Sequence, residues 1–264
     1  MNKINYNKYR IGLLVPEANI CAEQDFHRMA PSQLNICTIR LGHKTWKATD
    51  GVKKNEDENI TSHEDLWDSL NQNINRLVIT KPDILSFACT SGSFVRGNLW
   101  EKKMRENIEK EIKIKMVTAA GAAVEAIKKL GLKNIIVVTE YAKTLNSLFK
   151  RFMRENGINI IKIVGTEEVS KYCPEYNIKD WTVNTPASSE IAYKMIEGIN
   201  TQDSEGIFIS GTGFGVIDII NTVEKTFKKP VATSNQALFW SSIRKIGIKE
   251  SIPNYGKLLT KSYN

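Results

Sequence analysis

The chain repeats itself. Arg10-Ile-Gly-Leu-Leu-Val-Pro16 returns as Lys133-Asn-Ile-Ile-Val-Val-Thr139, Ile84-Leu-Ser-Phe-Ala-Cys-Thr90 as Gly206-Ile-Phe-Ile-Ser-Gly-Thr212, and Ala126-Ile-Lys-Lys-Leu-Gly131 as Ser242-Ile-Arg-Lys-Ile-Gly247. Three matches in one order and at nearly one spacing imply two similar halves. Strands are expected at Ile11–Val15, Leu34–Arg40, Ile84–Ala88, Lys115–Val117, Ile135–Val138, Ile158–Val164, Ile207–Ser210 and Val231–Thr233. Helical patterns fill Ala22–Met29, Ser62–Thr80, Val95–Glu109, Ala119–Leu130, Ala142–Asn156, Pro186–Asn200, Val216–Phe227 and Asn235–Ile246. Val- and Ile-rich strands separated by helices specify βαβ units, hence an α/β fold with parallel sheets. Right-handed crossovers then gather the loops after the strands on one edge, where ligands bind. The repeat suggests a first half of residues 1–116 plus 231–264, with Val231 to Gly247 crossing back to it, and a second half of 117–230. Equivalent loops of a duplicated fold face each other across a cleft, a common ligand site.

Composition narrows the function classes. Apolar residues make up 41% and charged residues 25%, ordinary usage for a globular chain and incompatible with disorder. No run approaches the ~20 apolar residues of a membrane span. The opening MNKINYNKYR leads directly into a strand, without a signal-peptide core or cleavage site, so a cytoplasmic location is expected. The net charge of +8 comes from scattered basic residues, and the densest run, Glu101 to Lys115, mixes both signs. That pattern fits the solvated face of a helix, with some bias toward anionic ligands; no nucleic-acid or membrane partner is expected. Cys21, Cys37, Cys89 and Cys173 form no CxxC pair, and no disulfide is expected in a cytosolic chain. His27, His43 and His63 lack ligand spacing. No metal is expected, and the histidines are read as surface residues without a role.

The densest chemistry lies in Phe87-Ala-Cys-Thr-Ser-Gly-Ser-Phe94. An apolar strand ends, and small hydroxyl residues and a glycine lead into a helix. Cys89, Thr90, Ser91 and Ser93 with several backbone N–H groups then sit where anions bind. A helix N-terminus also favours the thiolate; the competing reading is a buried structural cysteine. The repeat partner Ile209-Ser-Gly-Thr-Gly-Phe-Gly215 lacks the spacing and the following acidic residue of a dinucleotide fingerprint. It reads as a second anion loop with Ser210, Thr212 and backbone donors, or as a plain tight turn. Asn19 and Tyr141, after the first strand and its repeat partner, are candidate donors into the cleft; taken singly, each could be a helix cap or a half-buried aromatic. The charged stretch Lys47–Ser62 is expected to be an exposed loop that could act as a lid, and Cys173–Pro186 a second irregular stretch.

Four segments carry a family resemblance: Ile11-Gly-Leu-Leu-Val-Pro-Glu-Ala-Asn19 with Glu23, Ala88-Cys-Thr-Ser-Gly-Ser93, Thr139-Glu-Tyr-Ala-Lys-Thr-Leu-Asn146, and Pro230-Val-Ala-Thr-Ser-Asn-Gln-Ala-Leu-Phe-Trp240 before Gly247. Together they resemble the aspartate/glutamate racemase superfamily, in its arylmalonate decarboxylase and maleate cis-trans isomerase branch, over nearly the whole chain. The resemblance implies two Rossmann-like domains related by a pseudo-twofold, with the site in the interdomain cleft. It implies chemistry without cofactor or metal on a small carboxylate or dicarboxylate, and it is compatible with a homo-oligomer. Racemases and isomerases of this kind use one cysteine from each half. Here Cys89 fills the first position, and Gly211 stands at the second.

That departure favours a lyase. Two-base racemisation needs an acid or base on both faces, whereas decarboxylation needs one proton donor. By resemblance, arylmalonate decarboxylase carries its single cysteine in the second half, so this mirrored arrangement implies a product of the opposite hand. The expected enzyme is a decarboxylase of a malonate-like dicarboxylate, with Cys89 as acid. Thr90, Ser91, Tyr141 and the N–H of Thr212 at the Gly211 turn would bind the remaining carboxylate as a dioxyanion hole, and Asn19 would orient the substrate. The alternative is a cis-trans isomerase with Cys89 as nucleophile, favoured by Asn19, or a racemase; Cys21 is the less favoured substitute for the missing thiol, being expected on the inner face of the following helix. A chain that binds carboxylate without turnover is the third reading.

Overall fold

The computed structural model describes residues 8–42, 60–61, 63–176 and 188–260. The chain builds two four-stranded, wholly parallel sheets. In the first, β1 (Tyr9–Pro16), β2 (Leu34–Leu41), β3 (Ile84–Phe87) and β4 (Met116–Thr118) take the order β2-β1-β3-β4. In the second, β5 (Asn134–Thr139), β6 (Asn159–Val164), β7 (Gly206–Ser210) and β8 (Val231–Thr233) take the order β6-β5-β7-β8. The two orders are one pattern used twice, as the sequence repeat requires. The central strands are short apolar runs because helices cover both faces: every residue of β3 and of β7 is buried. The edge strands β2 and β6 are largely half-buried or exposed.

The repeat therefore places the ends of β3 and β7 in matching positions. Phe87 at the end of β3 pairs with Leu14 of β1, and Ser210 at the end of β7 pairs with Thr139 of β5. The segments after these two strands differ. After β3, the helix starts earlier than its apolar spacing suggests. Helix α3 (Thr90–Phe94) begins directly after Cys89, and Gly97, at φ +83, separates it from α4 (Asn98–Ile112). The remaining helices are α1 (Cys21–Met29), α2 (Glu64–Val78), α5 (Ala119–Lys129), α6 (Lys143–Glu155), α7 (Val169–Tyr172), α8 (Ser188–Glu197), α9 (Ile220–Phe227) and α10 (Ser234–Lys245).

At the junction of the halves, Val231–Thr233 is the edge strand of the second sheet, paired with β7. The helix after it, α10, returns to pack on β3, β4 and α5 while keeping contact with β7 and β8. Its residues from Ser234 to Ile243 are all buried, so its polar groups need partners inside the protein. Ser242 Oγ meets Ser86 Oγ of β3 at 2.7 Å, and Ser241 Oγ donates to Glu125 of α5 at 2.6 Å. Thr233 and Gln236 close a capping box at the start of α10.

An aromatic cluster also joins the halves. Phe94 at the end of α3 packs against Tyr141 at 5.7 Å, Phe149 at 5.1 Å and Phe152 at 6.4 Å between ring centroids, and Phe149 stacks on Phe208 of β7 at 6.1 Å. On the other side, Leu66, Leu70, Ile74 and Leu77 of α2 bury Leu14, Leu85 and Phe87 of the first sheet. Lys47–Ser62 falls almost wholly outside the described residues, as does the part of Cys173–Pro186 beyond Tyr176. Phe94→Ala removes the ring that couples α3 to α6 and should cost about 3–5 kcal/mol, measured by urea unfolding; a loss below about 1 kcal/mol would show that the cluster does not hold the halves together.

Candidate active site

The loops after β1, β3, β5 and β7 meet, and hydrogen bonds lock them. Thr212 Oγ1 donates to the carbonyl of Ala88 at 2.9 Å, joining the β7 loop to the β3 loop. Asn19 Nδ2 donates to the same Thr212 Oγ1 at 3.1 Å, while Asn19 Oδ1 accepts from the N–H groups of Cys21 and Ala22 at 3.0 and 3.1 Å. Asn19 is thus both a cap of α1 and a strut to Thr212. Ser234 Oγ accepts from Thr90 Oγ1 at 3.2 Å and from the N–H of Gly211 at 3.0 Å. The Tyr141 hydroxyl lies 3.2 Å from Ser210 Oγ and also hydrogen-bonds Thr90. The structure therefore brings Asn19, Cys89, Thr90, Ser91, Tyr141, Gly211 and Thr212 into one place.

Cys89 is the N-cap of α3. Its Sγ accepts from the Gly92 N–H at 3.3 Å and lies 3.7 Å from Ser91 Oγ. A Cβ on Gly92 would stand 3.0 Å from that sulfur, so the glycine makes the seat of the thiol. The helix N-terminus was expected to favour thiolate, and here burial wins. Desolvation pushes the thiol up to about 11 against the hydrogen bonds from Gly92 and Ser91, and the nearby Glu140 adds to the rise. Burial thus favours the protonated thiol over the thiolate. Tyr141 is pushed up as well, by burial and then by Glu140, and remains a hydrogen-bond donor.

Three side chains join the site without having been singled out in the sequence. His63, read there as a surface residue, is 4% exposed, and its Nε2 lies 2.8 Å from Ser91 Oγ. A line of groups thus runs from His63 through Ser91 to Cys89. Glu140 sits between two quoted residues, Thr139 and Tyr141. Its carboxyl lies over Gly211, and burial pushes it up to about 8 against a hydrogen bond from the Gly213 N–H. Asp25 is buried beneath Thr212: Asn235 Nδ2 donates to Asp25 Oδ2 at 2.7 Å and to the Thr212 carbonyl at 3.0 Å. Burial raises Asp25 to about 7 against that Asn235 bond. The usable signal was a charged residue at the end of an apolar strand in Thr139-Glu-Tyr141; His63 and Asp25 carried none.

The other cysteines and histidines separate. Cys21 comes closer than expected: burial, Asp25 and Glu140 push its thiol up to about 12. Cys37 lies on β2 opposite Gly12, and Cys173 is buried, its Sγ 3.8 Å from the Ile191 carbonyl. His27 is in the last turn of α1, exposed, and His43 lies outside the described residues. Among the described residues no group of His, Cys, Asp and Glu could hold a metal ion, and no helix is long and apolar enough to cross a membrane.

Burial of Glu140 has a measurable sign. Its neutral form is favoured in the fold, so stability present at low pH is lost as pH rises from about 4.5 toward about 8. Unfolding free energy should fall between pH 5 and 8 in the native chain and fall less in Glu140→Gln, with Asp25 keeping part of the slope. An equal fall in unfolding free energy from pH 5 to pH 8 in the native chain and in Glu140→Gln, read by urea unfolding, would contradict the burial.

The family model described as arylmalonate decarboxylase matches residues 49–259. Arylmalonate decarboxylase of Bordetella bronchiseptica is 25% identical over 259 residues, which is 96% of this chain and 97% of that one. A maleate isomerase of Pseudomonas putida is 22% identical over 267 residues, 97% and 98% of the two chains. Among solved structures, the maleate isomerase Iso from Pseudomonas putida S16 superposes with a TM-score of 0.76 at 20% identity, over 97% of this chain and 99% of that one. A crystal structure of arylmalonate decarboxylase superposes with a TM-score of 0.67 at 22% identity, over 95% and 98%. These structures share the two-sheet fold, and the family model covers Cys89, Tyr141, Gly211 and Thr212. The chain belongs to the arylmalonate decarboxylase family.

Proposed function

We propose that the chain is a cofactor-independent lyase that decarboxylates a malonate-type dicarboxylate, with Cys89 as proton donor. The observation that carries this reading is the setting of Cys89: a buried thiol at the start of α3, its sulfur held by the Gly92 N–H, where burial favours the protonated form. Donating a proton needs the thiol in that state, whereas addition to a double bond, as in cis-trans isomerisation, needs the thiolate.

In this reading one carboxylate lies against Thr90, Ser91, Tyr141 and the N–H of Thr212. The bond from the α-carbon to the other carboxylate breaks, CO2 leaves, and its electron pair enters the bound carboxylate as an enediolate. Thr90, Tyr141 and Thr212 are already positioned by contacts with Ser234, Ser210 and Ala88, so a carboxylate is met by turning a hydroxyl hydrogen or by a backbone N–H rather than by moving a side chain. The S–H of Cys89 gives its proton to the α-carbon, and the electron pair returns from the enediolate to form the C–H bond. Cys89 is left as thiolate. His63 then passes a proton through the Ser91 hydroxyl to the sulfur, along the 2.8 and 3.7 Å contacts. Asn19 holds Thr212 in place.

Changing Cys89 to Ala should lower decarboxylation of a disubstituted malonate by about two to four orders of magnitude, the usual worth of a positioned acid, while the unfolding midpoint stays near the native one. Retained activity in the folded variant would overturn the role. His63→Gln separates donation from recharging. The first turnover, read by rapid-quench CO2 release, should keep its rate while later turnovers slow, and added imidazole should restore them. Equal slowing of both phases would remove His63 from the proton route.

A further inference from the structure

Gly211 holds the place where the resemblance leaves one face of the substrate without an acid or base, but that place is filled. Gly211 has φ +135, and a Cβ built on it would lie 2.4 Å from Glu140 Oε1, 2.6 Å from Cδ and 2.8 Å from Cγ. No side chain fits there while Glu140 keeps its position. Glycine at 211 and glutamate at 140 are two parts of one arrangement, in which a carboxyl arriving from the β5 loop takes the space of a side chain on the β7 loop.

The surroundings of this carboxyl are those of a working group rather than of a structural ion. It accepts from the Gly213 N–H. Its Oε2 is buried and has no hydrogen-bond partner among the described residues, a costly state for a polar atom with only a packing role. No Lys or Arg pairs with it among the described residues. The titratable groups that feel its charge are Cys89, Cys21 and Tyr141, all weak acids held uncharged by burial. It stands on the second-half side of the seam that joins Thr212 to Ala88, the residue before Cys89.

We propose that Glu140 is the second proton-transfer group of the site, working with Cys89 to remove and return the α-proton of a monocarboxylate. The inference rests on reading the cleft as an enediolate-forming carboxylate site. The Glu140 carboxylate takes the α-proton, and the C–H electron pair enters the bound carboxylate. Cys89 gives its S–H proton to the other side of the α-carbon, and the enediolate pair forms the new C–H bond. Glu140 ends protonated and Cys89 as thiolate; one proton lost from Glu140 and one gained at Cys89 reset the pair. The reverse direction, with Cys89 thiolate as base and the Glu140 acid as donor, inverts the other hand. A carboxyl near 8 is matched to such work at neutral pH.

The test uses the full chain in D2O with three probes: methylphenylmalonate and each enantiomer of 2-phenylpropionate. Proton NMR reads α-deuteration, chiral chromatography reads inversion, and urea unfolding checks each variant. The wild-type chain should deuterate and invert the monocarboxylate, with a rate that rises as pH passes through about 8. Glu140→Gln should lower both readouts by at least about 100-fold and remove that rise, and Glu140→Asp should restore part of the rate with the rise moved in pH. Decarboxylation of the malonate without exchange of either enantiomer would overturn the role of Glu140 and leave the lyase reading standing. Glu140-dependent exchange with an untouched malonate would do the reverse. Wild-type exchange rates in folded Glu140→Gln would overturn the role, and absence of both reactions would overturn both readings.

Discussion

The buried hydrogen bond from Thr212 Oγ1 to the Ala88 carbonyl joins the two repeated loops on which the site is built. It ties the end of β7 to the end of β3, one residue before Cys89, so the two repeated loops share one seam. Asn19 braces it from the β1 loop and Ser234 from the start of α10. Behind the seam stand two sheets of the same strand order and the aromatic contact of Phe94 with Tyr141. Because these groups are held by protein partners, their positions are set before any carboxylate arrives, which is the condition for strong stabilisation of developing charge on an oxygen.

Burial then decides the protonation states. A helix N-terminus and the Gly92 N–H pull Cys89 toward thiolate, but the cost of desolvating the anion is larger, and Glu140 adds to it. Glu140, Asp25 and Cys21 shift in the same direction for the same first reason. The site is a cluster of acids whose neutral forms burial favours, a setting suited to moving protons to and from carbon.

Much of this was legible in the sequence because its cause is local. The central strands are buried on both faces, so they read as unbroken apolar runs, and their duplication pointed to two like halves. Open parallel sheets bind ligands at the loops after their strands, so Cys89, Thr90, Ser91, Thr212, Tyr141 and Asn19 stood out as candidates from position and residue type, and the structure brings them together. The edge strand Val231–Thr233 was harder to place, because three residues do not reveal which sheet they pair with. His63 and Asp25 could not be found from spacing, since each meets its partner across a fold-level contact, Ser91 and Asn235. Glu140 was visible in Thr139-Glu-Tyr141, yet its relation to Gly211 depends on the space above a glycine at φ +135 in another strand's loop. A missing thiol can be read from one position; the group that takes its space cannot.

The central claim is that Cys89 works as a proton donor to a decarboxylated carbon. The most direct measurement is a proton NMR time course in D2O with the full chain, maleate and a disubstituted malonate together. A protonated, buried Cys89 predicts that the malonate loses CO2 and gains one deuteron at its α-carbon while maleate persists. Conversion of maleate to fumarate with the malonate intact would contradict it, since the thiol would then be working as a nucleophile.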